Sequence, residues 1–549
     1  MFLKQARVKS LSTIGQPSGQ VHVVQAIFFF LLVGLVALLA MPAFSQNVAF
    51  KQAIAEASAS DKALAAFYKG RDFEPIWTGR NDRKRLMALF DALTTAPDHG
   101  LPIGRYDAQA VKAAFSKNTT AKARGQLEVE TSRMFLQYAS DLQTGILEPR
   151  QIDRNMTLRP PRRDRLKTLE AFVQSTPDSF LKGLIPSNPD YTRLLKEKAR
   201  MERVVGAGGW GPTVAADSLK LGASGPEVVV MRKRLTQMNY GNLGASPVYD
   251  EGLQRTIEAF QIDHGLNADG VAGKVTLSAI NTSPETRLKQ VIIALERLRW
   301  LNKALGKRHI IVNEAAFTAT VFDNGKPSFE TRVVVGKPGR WRTPEFEEAM
   351  THLIVNPSWF VPDSIAGGEY LPQLRENPGA LERQGIIMTD ADGHVVDSTT
   401  VDYSAYTKTN FPYTLRQPPG NDNALGIVKF MFPNRHAIYL HDTPSKSLFG
   451  RDIRTYSHGC VRVQDPYDLA YTLLAKQSSN PKSLFDSAVA RGVETVIQLD
   501  QKVPIYLVYH TAWVGADGRP NYRADSYSVD EKLFSALAKA GVVLRGVRG

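Results

Sequence analysis

From His309 onward the apolar residues of this chain change their period. Before that point they recur every three or four positions, as in Leu86, Leu89 and Leu93. After it they come in short β-branched runs: Ile310-Ile311-Val312, Phe317-Thr318-Ala319-Thr320-Val321-Phe322 and Arg332-Val333-Val334-Val335-Gly336. The first pattern is that of helices and the second that of strands. Asn324-Gly325, between the second and third runs, has the composition of a hairpin turn. The chain of 549 residues therefore reads as multidomain α + β, helical first and mostly β afterwards, with length for about two to four domains.

In chain order, Lys4, Arg7 and Lys9 precede an apolar run from Ala26 to Met41, and Ala43-Phe44-Ser45 ends it with small residues. Residues 1–45 read as a signal peptide cut after Ser45 or as an uncleaved membrane anchor. Either reading places the rest of the chain outside the cytoplasm. Residues 48–205 read as helical, with Ala53–Tyr68, Lys84–Leu93 and Ser132–Leu142 as segments; Trp77, Asp98 and His99 are singletons with structural roles. Gly206 to Pro212 is a flexible junction. The unit at 212–282 offers a helix at Pro226–Met238, with Val228, Met231, Leu235 and Met238 inward, and another at Glu251–His264, with Leu253, Ile257 and Phe260 inward. Its Asp269-Gly270 turn carries too few alternating oxygens for a calcium loop. An amphipathic helix, Pro284 to about Leu305, leads into a β domain at 284–530. Thr351–Val355, Glu494–Gln498 and Pro504–Trp513 add strands, and residues from about 362 to 419 interrupt them. That insertion, with a short helix at Tyr370–Glu376 and a weak strand at His394–Val396, is long enough to be a lid; Tyr413 and Arg416 on it are equally substrate contacts or structural. Asp465-Pro466 caps and opens a helix bearing Leu469, Leu473 and Leu474, and residues 531–549 form a closing helix and tail.

The net charge of +14 and a pI near 9.5 point to an acidic partner or to a basic solvated surface. No zinc-finger or aromatic RNA-binding pattern is present, so nucleic acid is not expected. One cysteine, Cys460, excludes an internal disulfide. It stands in Ser457-His458-Gly459-Cys460-Val461-Arg462, and a second histidine, His441, lies upstream in Tyr439-Leu440-His441-Asp442. A thiol and a separate imidazole are the minimum for acyl transfer through a thioester, because the imidazole can take the thiol proton. Arg435–His441 reads as a strand whose alternation puts Ala437, Tyr439 and His441 on one face. That favours His441 over His458 as the base, since a residue two positions before the cysteine on a tight turn points elsewhere. Gly459 permits the sharp turn and frees N–H groups for an oxyanion. Two blander readings compete: Cys460 as a small buried hydrophobe, and a zinc site from His436, His441, His458 and Cys460. The alternation, which sets His436 opposite His441, argues against zinc.

His441, a gap, and then Ser-His-Gly-Cys-Val-Arg resembles the signature of the L,D-transpeptidases, cell-wall cross-linking enzymes with a catalytic cysteine. Arg462, where many members have Asn, and the runs Asn423-Ala424-Leu425-Gly426, Lys429-Phe430 and Phe432-Pro433-Asn434 are similar to the long, multidomain branch. Phe67-Tyr68, Pro75-Ile76-Trp77 and His99-Gly100-Leu101 resemble that branch's scaffold domain. Leu219-Lys220-Leu221-Gly222, the Met231-Arg232 helix, Ala259-Phe260-Gln261 and Asp269-Gly270-Val271-Ala272-Gly273 resemble a type 1 peptidoglycan-binding domain. The resemblance implies a small three-helix binding domain and a sandwich-like catalytic domain capped by the insertion. It implies Cys460 as nucleophile and His441 as base, the latter oriented by a backbone carbonyl. Gly459, His458, Tyr439, Arg462 and Ser457 are then expected to hold the oxyanion, the substrate or the loop. It also implies peptidoglycan stem peptides and glycan as partners, a periplasmic location and no cofactor or metal. An uncleaved N-terminus would add inner-membrane association through residues 23–44; the sequence names no protein partner. The acceptor stays open among a second stem, water, a free D-amino acid and a protein lysine. A non-catalytic wall-binding protein is the rival class.

Overall fold

The computed structural model describes residues 46–117 and 120–546. The signal or anchor reading of 1–45 lies outside the described residues. Among these, no helix is long and apolar enough to cross a membrane.

The described residues form two compact units: those up to Phe90 with those of Ala108–Leu136 and Asp164–Asp178, and Asp91–Asp107 with Gln137–Arg163 and the described residues from Ser179 onward. The first is helical where described. The alanine-rich stretch expected as one helix is two, 46–58 and Lys62–Gly70. Asp61 separates them because its carboxylate accepts the N–H groups of Ala63 and Leu64, a side-chain cap that outcompetes helix continuation. Trp77 is structural: it packs between Phe135 and Phe172 and donates its indole N–H to Ser132 at 2.8 Å. Beneath it the buried Glu128 carboxylate accepts the N–H groups of Ile76 and Thr78 at 2.7 and 2.9 Å.

In the second unit three helices, Pro226–Gln237, Glu251–His264 and Lys274–Asn281, close on Val228, Met231, Leu235, Leu253, Ile257 and Phe260. The Asp269 carboxylate is taken up by Gln261 and the Val271 N–H, as a structural turn requires. The junction expected to be loose is packed instead: Trp210 is buried under the Arg234 guanidinium, which donates to the Gly211 carbonyl. The helix that follows, Pro284–Trp300, ends short of Leu305 and is buried on nearly every side rather than amphipathic. Its charges are neutralised in place, Arg299 by Glu296 at 2.9 Å and Arg297 by Glu345 at 2.5 Å.

The C-terminal part is mostly β. Its strands are β1 (Arg308–Asn313), β2 (Thr318–Asp323), β3 (Lys326–Gly336), β4 (Phe346–Val355), β5 (Trp359–Phe360), β6 (Ile387–Thr389), β7 (Thr414–Gln417), β8 (Val428–Met431), β9 (Leu440–His441), β10 (Thr455–Ser457), β11 (Val461–Val463), β12 (Thr495–Val508), β13 (Ala512–Val514) and β14 (Pro520–Tyr522). The order β3-β11-β9-β8-β4-β12-β1-β2 returns to β3, so the main sheet closes on itself, with β10 alongside β3. Asn324 and Gly325 take positive φ in the β2–β3 hairpin, as that turn demands. The insertion's β6 and β7 form, with β5 just before it, a separate three-stranded sheet over a core of Val361, Leu371, Leu374, Met388, Tyr403 and Leu415. Val395 makes only an isolated bridge to Thr389. The expected helix after the cysteine is Pro466–Leu474, but Asp465 does not cap it; its carboxylate accepts the Thr331 hydroxyl at 2.8 Å. A further helix, Pro481–Ala490, precedes β12.

Glu345 is fully buried and holds both Arg297 and Arg342, and its backbone pairs with Met156. Glu345→Ala strands two buried guanidinium groups and is expected to cost about 3–5 kcal/mol. Calorimetry checks this: the midpoint of the second unit's transition falls by several degrees, and an unchanged midpoint would refute the brace.

Candidate active site

Cys460 precedes β11, and β11 runs parallel to β9 with Val461 opposite Leu440 and Arg462 opposite His441. The register sets Cys460 beside Tyr439. Alternation then puts Cys460, Arg462, Tyr439 and His441 on one face, while Val461 and Leu440 enter the core. On the other side of β9, antiparallel β8 pairs Lys429 with His441.

Only Leu440 and His441 of the expected Arg435–His441 strand are extended pairs. Asn434 folds the preceding residues into a turn: its amide donates to the Phe432 and Ile438 carbonyls and accepts the His436 N–H. Ala437 takes φ +53° there, and its carbonyl accepts the Cys460 thiol at 3.7 Å. The turn sends His436 away from the cysteine, toward Thr157 and the Phe346 ring. His458 points elsewhere again, so the four residues of the zinc reading do not converge.

His441 is buried, and its Nδ1–H donates to the Asp442 carbonyl at 2.5 Å, which leaves Nε2 as the acceptor nitrogen. Asp442 is immobilised through its carboxylate, which accepts the Ile427 and Thr443 N–H groups and the Lys446 ammonium. Gly426 makes that possible: it sits at φ +58°, and a Cβ would fall 2.2 Å from the Asp442 carboxylate.

The Ser457–Cys460 turn is braced by hydroxyls. Ser457 Oγ donates to the Cys460 carbonyl at 2.5 Å and accepts the Gly459 N–H. The buried Thr343 hydroxyl donates to the Gly459 carbonyl at 2.7 Å. Gly459 lies at φ +117° with Ile438 packed close to its missing Cβ, so glycine is required. Its N–H is engaged, whereas the Cys460 N–H has no acceptor among the described residues. His458 Nε2 meets the Glu369 carboxylate of the insertion at 2.6 Å, and its ring abuts Trp341, which packs on the insertion's core. Tyr413 and Arg416 stay within or beside that insertion: Tyr413 bonds Tyr406, and Arg416 donates to Ser358 at 2.9 Å and lies over Phe360.

Burial dominates the electrostatics. It pushes the Cys460 thiol up to about 11, against the opposing Tyr439 N–H and hydroxyl and the Lys429 and Arg462 charges. It pushes His441 down to about 3, aided by Arg462. Both shifts favour a neutral thiol and a neutral imidazole over an ion pair at rest. The place of Lys429 beside His441 comes from the β8–β9 register and has no local signal in the sequence.

Three stretches match family models: residues 62–197 the "Scaffold domain", 224–280 the "Putative peptidoglycan binding domain", and 307–494 the "L,D-transpeptidase catalytic domain". The β domain thus matches the L,D-transpeptidase catalytic domain, in a chain that also matches scaffold and peptidoglycan-binding domains. A Haemophilus influenzae protein described as "Putative L,D-transpeptidase" is 32% identical over 255 residues, 46% of this chain and 51% of that protein, so the match spans about half of each. Among solved structures, the L,D-transpeptidase of Stackebrandtia nassauensis is 17% identical, covering 54% of this chain and 96% of its own, with a TM-score of 0.22. Residues 123–326 of the Xylanimonas cellulosilytica L,D-transpeptidase are 15% identical over 54% of this chain and 100% of that one, with a TM-score of 0.17.

A raised thiol pKa disfavours thiolate, whose fraction below the pKa falls about tenfold for each pH unit. With the pKa near 11, alkylation of Cys460 by iodoacetamide is expected to accelerate continuously from pH 7 to pH 9. A plateau beginning below pH 7 would mean a preformed thiolate.

Proposed function

We propose that the protein is a peptidoglycan L,D-transpeptidase that works through a Cys460 thioester. The observation that carries this reading is His441, held in one tautomer by the Asp442 carbonyl, on the strand beside Cys460 in an L,D-transpeptidase domain. Neutral His441 Nε2 takes the thiol proton as sulfur attacks the carbonyl between diaminopimelate and the terminal D-alanine of a stem tetrapeptide. The oxyanion is held by the Cys460 N–H and the Tyr439 hydroxyl. As the C–N bond breaks, its electron pair stays on nitrogen, which receives the proton from His441, and D-alanine leaves. An amine of a second stem then attacks the thioester. It gives its proton to His441, sulfur departs as thiolate and is reprotonated, and a 3→3 cross-link results.

Gly459, Ser457 and Thr343 fix the turn, His458 links it to the capping insertion through Glu369, and Arg462 supplies positive charge beside the imidazole. No step calls on a metal or organic cofactor. The peptidoglycan-binding domain supports wall glycan and stems as partners, and an envelope location follows from such a substrate. Export by residues 1–45, cleaved or retained as an anchor, is part of the proposal. So are the domain limits at 48–205, 212–282 and 284–530. Water, a free D-amino acid or a protein lysine as acceptor would use the same thioester.

Disaccharide-tetrapeptide carrying diaminopimelate tests the reading. Mass spectrometry of the products is expected to show a 3→3 dimer and free D-alanine. Cys460→Ala is expected to abolish both, and His441→Ala to slow them by at least about a hundredfold. Tripeptide alone would make the protein a carboxypeptidase, and the absence of any product would leave a wall-binding protein.

A further inference from the structure

Lys429, His441 and Arg462 form one row across β8, β9 and β11, with the imidazole in the middle. Neighbouring strands lie about 4.8 Å apart, so the two long cationic side chains rise on either side of His441, within reach of each other above it. Both act electrostatically on Cys460 and His441, and the Lys429 ammonium lies 5.6 Å from the centre of the Tyr439 ring.

Among the described residues neither cation has a hydrogen-bond acceptor. Other buried cations of this unit are satisfied at short range, Arg297 and Arg342 by Glu345, Arg299 by Glu296 and Lys198 by Glu202, and Arg234, Arg287 and Arg454 by carbonyl or amide oxygens. Lys429 and Arg462 are only partly exposed, yet neither makes an ion pair or a side-chain hydrogen bond to any described residue, and Arg462 Nε is buried without a partner. Glu494 influences Lys429 from a distance, but its carboxylate accepts the Ser358 N–H. Two desolvated, unmatched positive charges destabilise a folded chain. Side by side they are what a site for an anion looks like before the anion arrives.

We infer that Lys429 and Arg462 are specificity-determining residues that together receive the terminal carboxylate of the leaving D-amino acid. The inference rests on the transpeptidase reading and adds what the site measures in its donor. His441 must reach the leaving nitrogen to protonate it. The carboxylate of the same residue is one carbon removed from that nitrogen, so it falls beside His441, where the two cations stand. A C-terminal amide presents no charge there. A stem one residue longer carries its carboxylate about 3.5 Å farther along. The row therefore selects a free acid directly after the scissile bond.

Two readouts on the full chain separate this from the parent proposal. The first is the rate of Cys460 alkylation by iodoacetate relative to iodoacetamide, which needs no transpeptidation. The wild-type ratio is expected to exceed those of Lys429→Gln and Arg462→Gln by about fivefold, to survive in Lys429→Arg and to fall with added salt. The salt dependence of the wild type reads the same site if a variant fails to fold. The second is D-alanine release from a tetrapeptide against its C-terminal amide. Lys429→Gln is expected to raise KM for the acid about tenfold more than it raises KM for the amide, whatever common change in turnover the lost charge causes. An alkylation ratio indifferent to both residues and to salt, with Cys460 still reactive to iodoacetamide, would overturn the cradle. Equal losses on acid and amide would make Lys429 merely structural. A charge-dependent alkylation ratio without D-alanine release would keep the anion site and remove the transpeptidase.

Discussion

The parallel pairing of β9 with β11 is the constraint on which the rest of the site depends. It is short, two residues against two, yet it puts the thiol-bearing turn beside the imidazole and both on the face opposite the core. So brief a ladder cannot hold its own register. It is held by the closed sheet around it and by side chains acting on backbone: Asn434 before β9, Asp442 after it, Ser457 and Thr343 on the turn. A one-residue slip would turn His441 into the core and Leu440 toward the thiol.

Within that frame, desolvation outweighs attraction. Burial keeps both the thiol and the imidazole neutral at rest, and two nearby cations lower the thiol only part of the way. A site of this kind stores no thiolate. In the proposed reaction, proton transfer to His441 would accompany the attack, and the cations would act most strongly once negative charge develops on sulfur or arrives with the substrate. The insertion adds the other wall. Its Glu369 reaches His458 next to the cysteine, so the turn and the cap are mechanically linked.

The change of period at His309 was legible because it depends on local pattern, and so were the helices of 226–237 and 251–264. The cysteine motif and His441 could be singled out from the sequence, and the β9–β11 pairing brings their two strands side by side. The strand expected over 435–441 failed at its start because one side chain, Asn434, satisfies four backbone groups and bends the chain through a positive φ at Ala437. Helix Pro284–Trp300 read as amphipathic because its buried arginines look like a solvated face, and the partner of Arg297, Glu345, is distant in sequence. Lys429 beside His441 and Glu369 on His458 had no signal at all, since long-range pairing alone brings them there.

In the proposed reaction Cys460 carries the acyl group. Intact-protein mass spectrometry during turnover of the diaminopimelate tetrapeptide, followed by peptide mapping, measures it directly. The account predicts an adduct equal to the stem less D-alanine, labile to hydroxylamine, located on Cys460 and absent in Cys460→Ala. An adduct on Ser457, or D-alanine release that persists in Cys460→Ala, would contradict it.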